Sequence, residues 1–205
     1  NNGTIVNNGV LIENKAIEGY GVITNNGEIR AEVSNMTDLQ NATQFASRIV
    51  VMADISQDQS DNKFYIANSM RYKELEIDLN GHSVQKQFRF ESQYGSKSIK
   101  LTNSSENEAV ITVDNMSPII MLGHATTQNA EFNVEISNIK IIGDGANAWA
   151  GISTNGTYKN SPYFKVSVKN CVIDGETSAG VYLPGGYTYK FEDCTISGYT
   201  AYYTK

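Results

Sequence analysis

Cysteine is nearly missing from this chain: two among 205 residues, too few for a disulfide framework and in none of the clustered spacings that hold zinc. Proline is scarce as well, with three, which leaves asparagine and glycine as the turn formers. Runs of like charge are absent, and 16 Lys plus Arg stand against 22 Asp plus Glu for a net charge of -6. Nucleic-acid binding is therefore not expected, because a phosphate backbone calls for clustered positive charge. No apolar run approaches the roughly 20 residues that cross a bilayer, so no membrane span is expected. The opening NNGTIV has none of the basic and apolar zones of a signal peptide, so the chain reads as mature or as one whose leader lies outside it.

What is present is turn chemistry and short strands. Asn-Gly begins at Asn2, Asn8, Asn26, Asn80 and Asn155, and both residues tolerate positive φ. Between the turns lie ELEIDL, SIKLT, AVITV, FNVEIS and FKVSV, rich in β-branched residues and bounded at about 8 to 12 residue spacing. The class is all-β, and the length suits one elongated domain.

Two repeat systems run along the chain. Residues 1–30 divide into sixes, NNGTIV, NNGVLI, ENKAIE, GYGVIT and NNGEIR, with Ile5, Leu11, Ile17, Ile23 and Ile29 at the fifth place. One inward aliphatic in each hexad, with glycine at the corners, fits a three-sided β-solenoid. Residues 31–72 form a helix and strand segment. Thr37 with Gln40 makes a capping box, and Leu39, Ala42, Ala46 and Ile49 share one face, predicting a short α-helix near 37–47. RIVVMADI reads as a buried strand and QDQSDNK as a polar loop.

From residue 73 to 205 a strand is followed again and again by Asn or Asp, at Asn80, Asn103, Asn138, Asn170 and Asp193. The series predicts coils of about 23 residues, lengthened by loops in the middle turns. The segments FNVEISNIKIIG, FKVSVKNCVIDG and YKFEDCTISG superimpose, and AGIST aligns with AGVYL. Stacked asparagines at such corners can adopt the left-handed conformation and bond their copies in the next coil. Cys171 and Cys194 then stack inward, where straight stacking does not readily give disulfide geometry.

The segment SNMTDLQNATQFASRIVVMADI, followed by MRYKELEIDLNGHSV, resembles the opening of pectin-lyase-like right-handed parallel β-helix domains in bacterial surface proteins. A short helix, a Val/Ile strand ending in Ala-Asp and a later Ile-Asp-Leu-Asn-Gly-His are its marks. The Asn138, Asn170, Asp193 series is similar to that superfamily's asparagine ladder. The resemblance implies a parallel β-helix, with right the expected hand. Activity stays open, since the superfamily holds lyases, hydrolases, phage tailspikes, adhesins and plain rods.

For an enzyme of this kind the site should lie on the AGIST and AGVYL face. Hydrolases of the fold resemble one another in close aspartates, a Gly-His-Gly and an Arg-Ile-Lys. Here His124 sits in Gly-His-Ala and Arg-Ile-Lys is absent. Lyases use a calcium site of several carboxylates with an arginine or lysine base. Asp144, Asp174 and Glu176 are the candidate acids and Ca2+ the candidate ion, but no arginine follows Arg89. The acids read first as solvated turn residues and His82 as structural, while His124, which follows an apolar face in a longer loop, joins the acids as a catalytic candidate whose first reading is also structural. Tyrosine concentrates late in the chain, and Trp149, Tyr182 and Tyr187 are candidate glycan platforms. Tyr182 faces outward if Val181 and Leu183 face inward.

The expected function is a non-enzymatic extracellular or cell-surface β-solenoid, structural or adhesive, joined end to end with its own kind or continued as a longer rod. A polysaccharide lyase or hydrolase, or a glycan-binding module, is the alternative. No cofactor is required by the main reading.

Overall fold

The computed structural model describes residues 3–19, 21–56, 63–66, 70–91, 96–122, 131–143, 148–154, 164–183 and 188–203. The hexads form β1 (Thr4–Asn7), β2 (Val10–Ile12), β3 (Val22–Asn25) and β4 (Glu28–Val33). Thr4 pairs with Val22, Val10 with Glu28 and Arg30 with Arg48, so each strand meets the one that follows it by three hexads. Three hexads therefore make one coil. The residues at the fifth place face inward: Ile5, Leu11, Ile17 and Ile23 are half-buried and Ile29 is buried. Gly27 sits against the Gly9 carbonyl, which accepts from Glu28 N at 2.8 Å, and an added Cβ there would overlap that oxygen.

Helix α1 (Met36–Ala42) begins one residue before the predicted capping box and stops well short of residue 47. The reason lies in the caps. Asn35, not Thr37, is the N-cap: its Oδ1 accepts from Asp38 N at 2.9 Å while its Nδ2 donates to Asp38 Oδ2 at 2.7 Å. At the other end Thr43 Oγ1 donates to the Gln40 carbonyl at 2.8 Å, and the chain turns through Gln44 and Phe45. Leu39, Ala42, Ala46 and Ile49 all face the core, each no more than 1% exposed.

The remaining strands wind as repeated triplets. First come β5 (Arg48–Val51) and β6 (Lys63–Ile66), with Ile55 between them bridging to Val84. Next are β7 (Glu74–Asp78), β8 (Val84–Gln85) and β9 (Gln87–Glu91), then β10 (Lys97–Thr102), β11 (Val110–Val113) and β12 (Ile119–Leu122). They are followed by β13 (Phe132–Ser137), β14 (Lys140–Gly143) and β15 (Ala150–Thr154). The last two coils hold β16 (Phe164–Lys169), β17 (Val172–Asp174) and β18 (Ala179–Tyr182), then β19 (Thr188–Glu192), β20 (Thr195–Ser197) and β21 (Thr200–Tyr203).

Every ladder among these strands is parallel. Sheet A is β2-β4-β5-β7-β10-β13-β16-β19, sheet B is β8-β11-β14-β17-β20 and sheet C is β6-β9-β12-β15-β18-β21, while β1 and β3 pair separately. Sheet A thus crosses the hexads, the helix and strand segment and the later coils without a break. Glu74 pairs with Ser98, Lys97 with Phe132, Phe132 with Phe164 and Lys165 with Thr188, so the two middle coils are the long ones, as the asparagine spacing predicts. The protein is an all-β parallel solenoid with one short helix.

Alternation within each strand fills the interior with stacked columns. Ala31, Ile49, Ile77, Leu101, Ile136 and Val168 lie in register inside sheet A, and Val84, Ile111, Ile141 and Ile173 inside sheet B. Phe64, Phe88, Ile119, Ile152 and Val181 do the same in sheet C, with the two phenylalanine rings edge to face at 5.2 Å. Each fully buried side chain of this size contributes about 1.5–3 kcal/mol, so the core rests on repetition rather than on any one contact.

Candidate functional site

Three surfaces carry polar or aromatic chemistry. The first is the corner between sheets A and B. Asn80, Asn138, Asn170 and Asp193 hold left-handed backbones, with φ of 51°, 62°, 50° and 53°. Asn170 Nδ2 donates to Asn138 Oδ1 at 3.0 Å, and Asn138 Nδ2 donates to the Asn103 carbonyl at 3.2 Å. Asn103 departs from the expected pattern. Its backbone is not left-handed, and its side chain serves the backbone instead, Oδ1 accepting from Gly81 N at 2.8 Å and Ser105 N at 3.2 Å.

Asn80 also departs, being one place out of register. Asp78 pairs with Thr102, so Leu79, not Asn80, stands opposite Asn103, and Leu79 N donates to the Thr102 carbonyl at 2.8 Å. Asn80 and Gly81 form the extra turn, both at positive φ. That turn brings two marks of the opening motif together: His82 Nδ1 lies 3.3 Å from Asp54 Oδ1, which also accepts from Ser83 N at 2.9 Å. The bond from Ser83 holds the Asp54 carboxyl below its ordinary range, with a smaller contribution from His82. His82 is thereby tied into coil-to-coil packing. A groove of about 400 Å³ follows the ladder, lined by Asn103, Glu106, Glu108, Asn138, Lys140 and Asn170.

The second surface is the outer face of sheet A. Arg30, Arg48, Glu76, Lys100 and Glu135 stand in one outward column, flanked by Glu28 and Asp78. Glu28 reaches both stacked arginines, at 2.7 Å from Arg30 Nε and 3.7 Å from Arg48 NH1. Glu76 lies 3.4 Å from Arg48 Nε, an ion contact without hydrogen-bond geometry, and 3.1 Å from Lys100 Nζ. Asp78, 1% exposed, accepts from Arg48 NH2 at 3.0 Å, Ser104 Oγ at 2.6 Å, Ser104 N at 3.0 Å and Asn80 N at 3.0 Å. Burial pushes this carboxyl up, but the bonds from Ser104, Asn80 and Arg48 outweigh it and hold it below the ordinary range. An open groove of about 520 Å³ runs over this column.

The third surface lies where sheet B turns into sheet C. Trp149 is 59% exposed, and its ring stands edge to face with Tyr182 at 6.1 Å. Val181 is buried, Leu183 packs partly against the core and Tyr182 is half-buried between them, the alternation that turns Tyr182 outward. Tyr187 lies outside the described residues.

The candidate acids fall differently. Asp174 and Glu176 share one turn, where Asp174 Oδ1 accepts from Glu176 N at 2.9 Å and Glu176 has φ 48°. Asp144 and His124 lie outside the described residues. Among the described residues no group of three or more His, Cys, Asp or Glu is placed to hold a metal ion. Glu13 is a carboxyl that sequence reasoning did not single out: burial pushes it above its ordinary range and Arg71 draws it partly back. Among the described residues its Oε1 has no hydrogen-bond partner. Nothing in the hexad pattern signals this, because Arg71 lies far along the chain and meets Glu13 only through the stacking of coils.

Fold and surfaces define the class of protein: a parallel β-helix whose corners are held by side-chain amides and whose broadest sheet is laced by ion pairs. Comparison of the chain with protein-family models, curated proteins and solved structures finds no match.

Proposed function

We propose that this chain is a non-enzymatic structural or adhesive solenoid of the extracellular surface, a segment of a rod or of a self-associating layer, akin to the pectin-lyase-like β-helices of bacterial surface proteins. The observation that carries the reading is sheet A. Eight parallel strands form one unbroken ladder from β2 to β19, and Glu28, Arg48, Glu76, Asp78 and Lys100 are ion-paired with one another across its coils. Catalysis by a carboxylate asks for an acid whose pKa is raised toward the working pH beside a second group in reach. Asp54, Asp78 and Glu192 are instead held low by bonds from neighbours, which suits support rather than proton transfer, and Glu13, the one described carboxyl that burial raises above its ordinary range, is drawn partly back by Arg71. Location at the cell surface belongs to the same proposal and rests on the resemblance of the helix and strand segment.

Sedimentation velocity and electron microscopy over a rising concentration series test the reading. Growth into elongated oligomers is the expected result. A monomer at every concentration overturns self-association, and release of unsaturated or reducing ends from a panel of polysaccharides overturns the non-enzymatic assignment.

A further inference from the structure

The geometry points to a binding site for an uncharged polysaccharide on the aromatic corner of Trp149, Tyr182 and Tyr199, with the sugar chain running across successive coils. The inference stands apart from self-association, since a single molecule carries the whole site.

Trp149 is the chain's one tryptophan, and a ring of that size left 59% exposed forgoes a large burial. It is also held in place. Its backbone N donates to Ser117 Oγ at 3.0 Å, its carbonyl accepts from Ala179 N at 3.3 Å, and Tyr182 fixes the ring edge-on. A platform whose orientation is set before binding loses little entropy when a flat ligand settles on it.

A second ring continues the platform. Ala150 pairs with Ala179 and Ala179 with Thr200, so Trp149, Ser178 and Tyr199 occupy one position on three successive coils. Tyr199 is 88% exposed, and its backbone N donates to the Ser178 carbonyl at 2.9 Å. At a strand spacing of about 4.8 Å, the backbones of Trp149 and Tyr199 stand about 10 Å apart with a small residue between. Sugar rings offer an apolar C–H face to each aromatic ring, and their hydroxyls are left for the polar rim.

Charge selects among polysaccharides. The turn from Asp174 to Ser178, in the coil between those of the two rings, carries Asp174 and Glu176 and no cation. Uronate or sulfated chains are repelled there, whereas an uncharged chain meets only hydrogen-bonding groups. A hydrophobic protein partner is also a poor fit, because Thr177 and Ser178, in the turn between the two rings, are small and polar.

The single tryptophan makes the test direct. Emission excited at the red edge, where tyrosine does not absorb, is followed while hydroxyethyl cellulose, arabinoxylan or galactomannan is added to the full chain, with polygalacturonate as the acidic control. A saturable change with at least one uncharged polymer and none with polygalacturonate is expected. Tyr182→Ala and Tyr199→Ala should each raise the midpoint about tenfold. Emission unmoved by all three uncharged polymers, an equal response to polygalacturonate, or both variants titrating like the parent overturns the proposal. Tyr199 is so exposed that its variant keeps the test open if Tyr182→Ala does not fold.

Discussion

The Arg48 guanidinium lies 3.0 Å from the Asp78 carboxylate of the following coil, and that carboxylate also takes three bonds from Ser104 and Asn80. Because these bonds hold the folded carboxyl below its unfolded value, the unfolded chain binds a proton first as pH falls. The stabilisation is complete above the unfolded pKa and is lost as pH drops through the folded one. Urea unfolding measured from pH 7 to pH 2 should show a fall in stability across the acid range. Asp78→Asn should flatten that fall and cost about 2 kcal/mol at pH 7, less than a fully buried pair because Arg48 is partly solvated. An acid slope identical in the variant would refute the assignment.

Asn170 combines a left-handed backbone with a rung to Asn138. Asn170→Gly keeps the backbone and loses the rung, so it should cost about 1 kcal/mol. Asn170→Ala loses both and should cost about 2–3 kcal/mol. Thermal melts of the pair separate the two contributions; equal losses would mean that conformation carries nothing.

The helix cap offers a sharper discrimination. Asn35→Ala should cost about 1 kcal/mol, while Thr37→Ala, inside the first turn, should change stability by less than about 0.5 kcal/mol. The reverse order in urea titrations would restore the capping box read from Thr37.

Cys171 is buried, and burial pushes its thiol up to about 11, so little thiolate exists near neutrality. Both thiols point the same way: Cys171 Sγ lies 3.9 Å from the Ile136 carbonyl, and Cys194 Sγ 3.5 Å from that of Val168, each in the coil before. Iodoacetamide at pH 8 should label half-buried Cys194 and spare Cys171 until urea is added. Reduction should not change the labelling pattern, since parallel thiols one coil apart do not face each other. Native labelling of Cys171 at the rate of Cys194 would contradict this.

Repetition made the core legible. Ile136 with Val168 and Phe191, Ile141 with Ile173 and Ile196, and Ala150 with Ala179 are aligned by sequence alone and share register in the structure, because a slip of one place would turn each strand's alternating inward set outward. The hexads also carry a polar repeat. Asn7 Nδ2 donates to Asn25 Oδ1 at 2.7 Å and Asn26 Nδ2 to Asn8 Oδ1 at 3.0 Å, an amide ladder of its own, and the signal was the whole number of hexads between NNGVLI and NNGEIR. The shift at Asn80 is visible in the sequence, where Asn80 follows Leu79 directly while Asn103, Asn138 and Asn170 each follow their aliphatic residue two places on, and the extra left-handed Gly81 is its physical cause.

The ion-pair face was not legible. Arg48, Glu76 and Lys100 look ordinary in separate strands, and only two coil advances of unequal length set them side by side. The aromatic corner was half legible: alternation gave Tyr182, but Tyr199 joins Trp149 only through a register counted across two loops of different length.

The hexad coils are shorter than every coil that follows them, and the difference has a mechanical consequence. Their inward residues Ile5, Leu11, Ile17 and Ile23 stay half-buried, whereas the inward columns of the coils from β5 to β18 are buried. Local opening is resisted mainly by such burial, so under load or heat the hexad end should loosen before the coils that carry Trp149 and Tyr182.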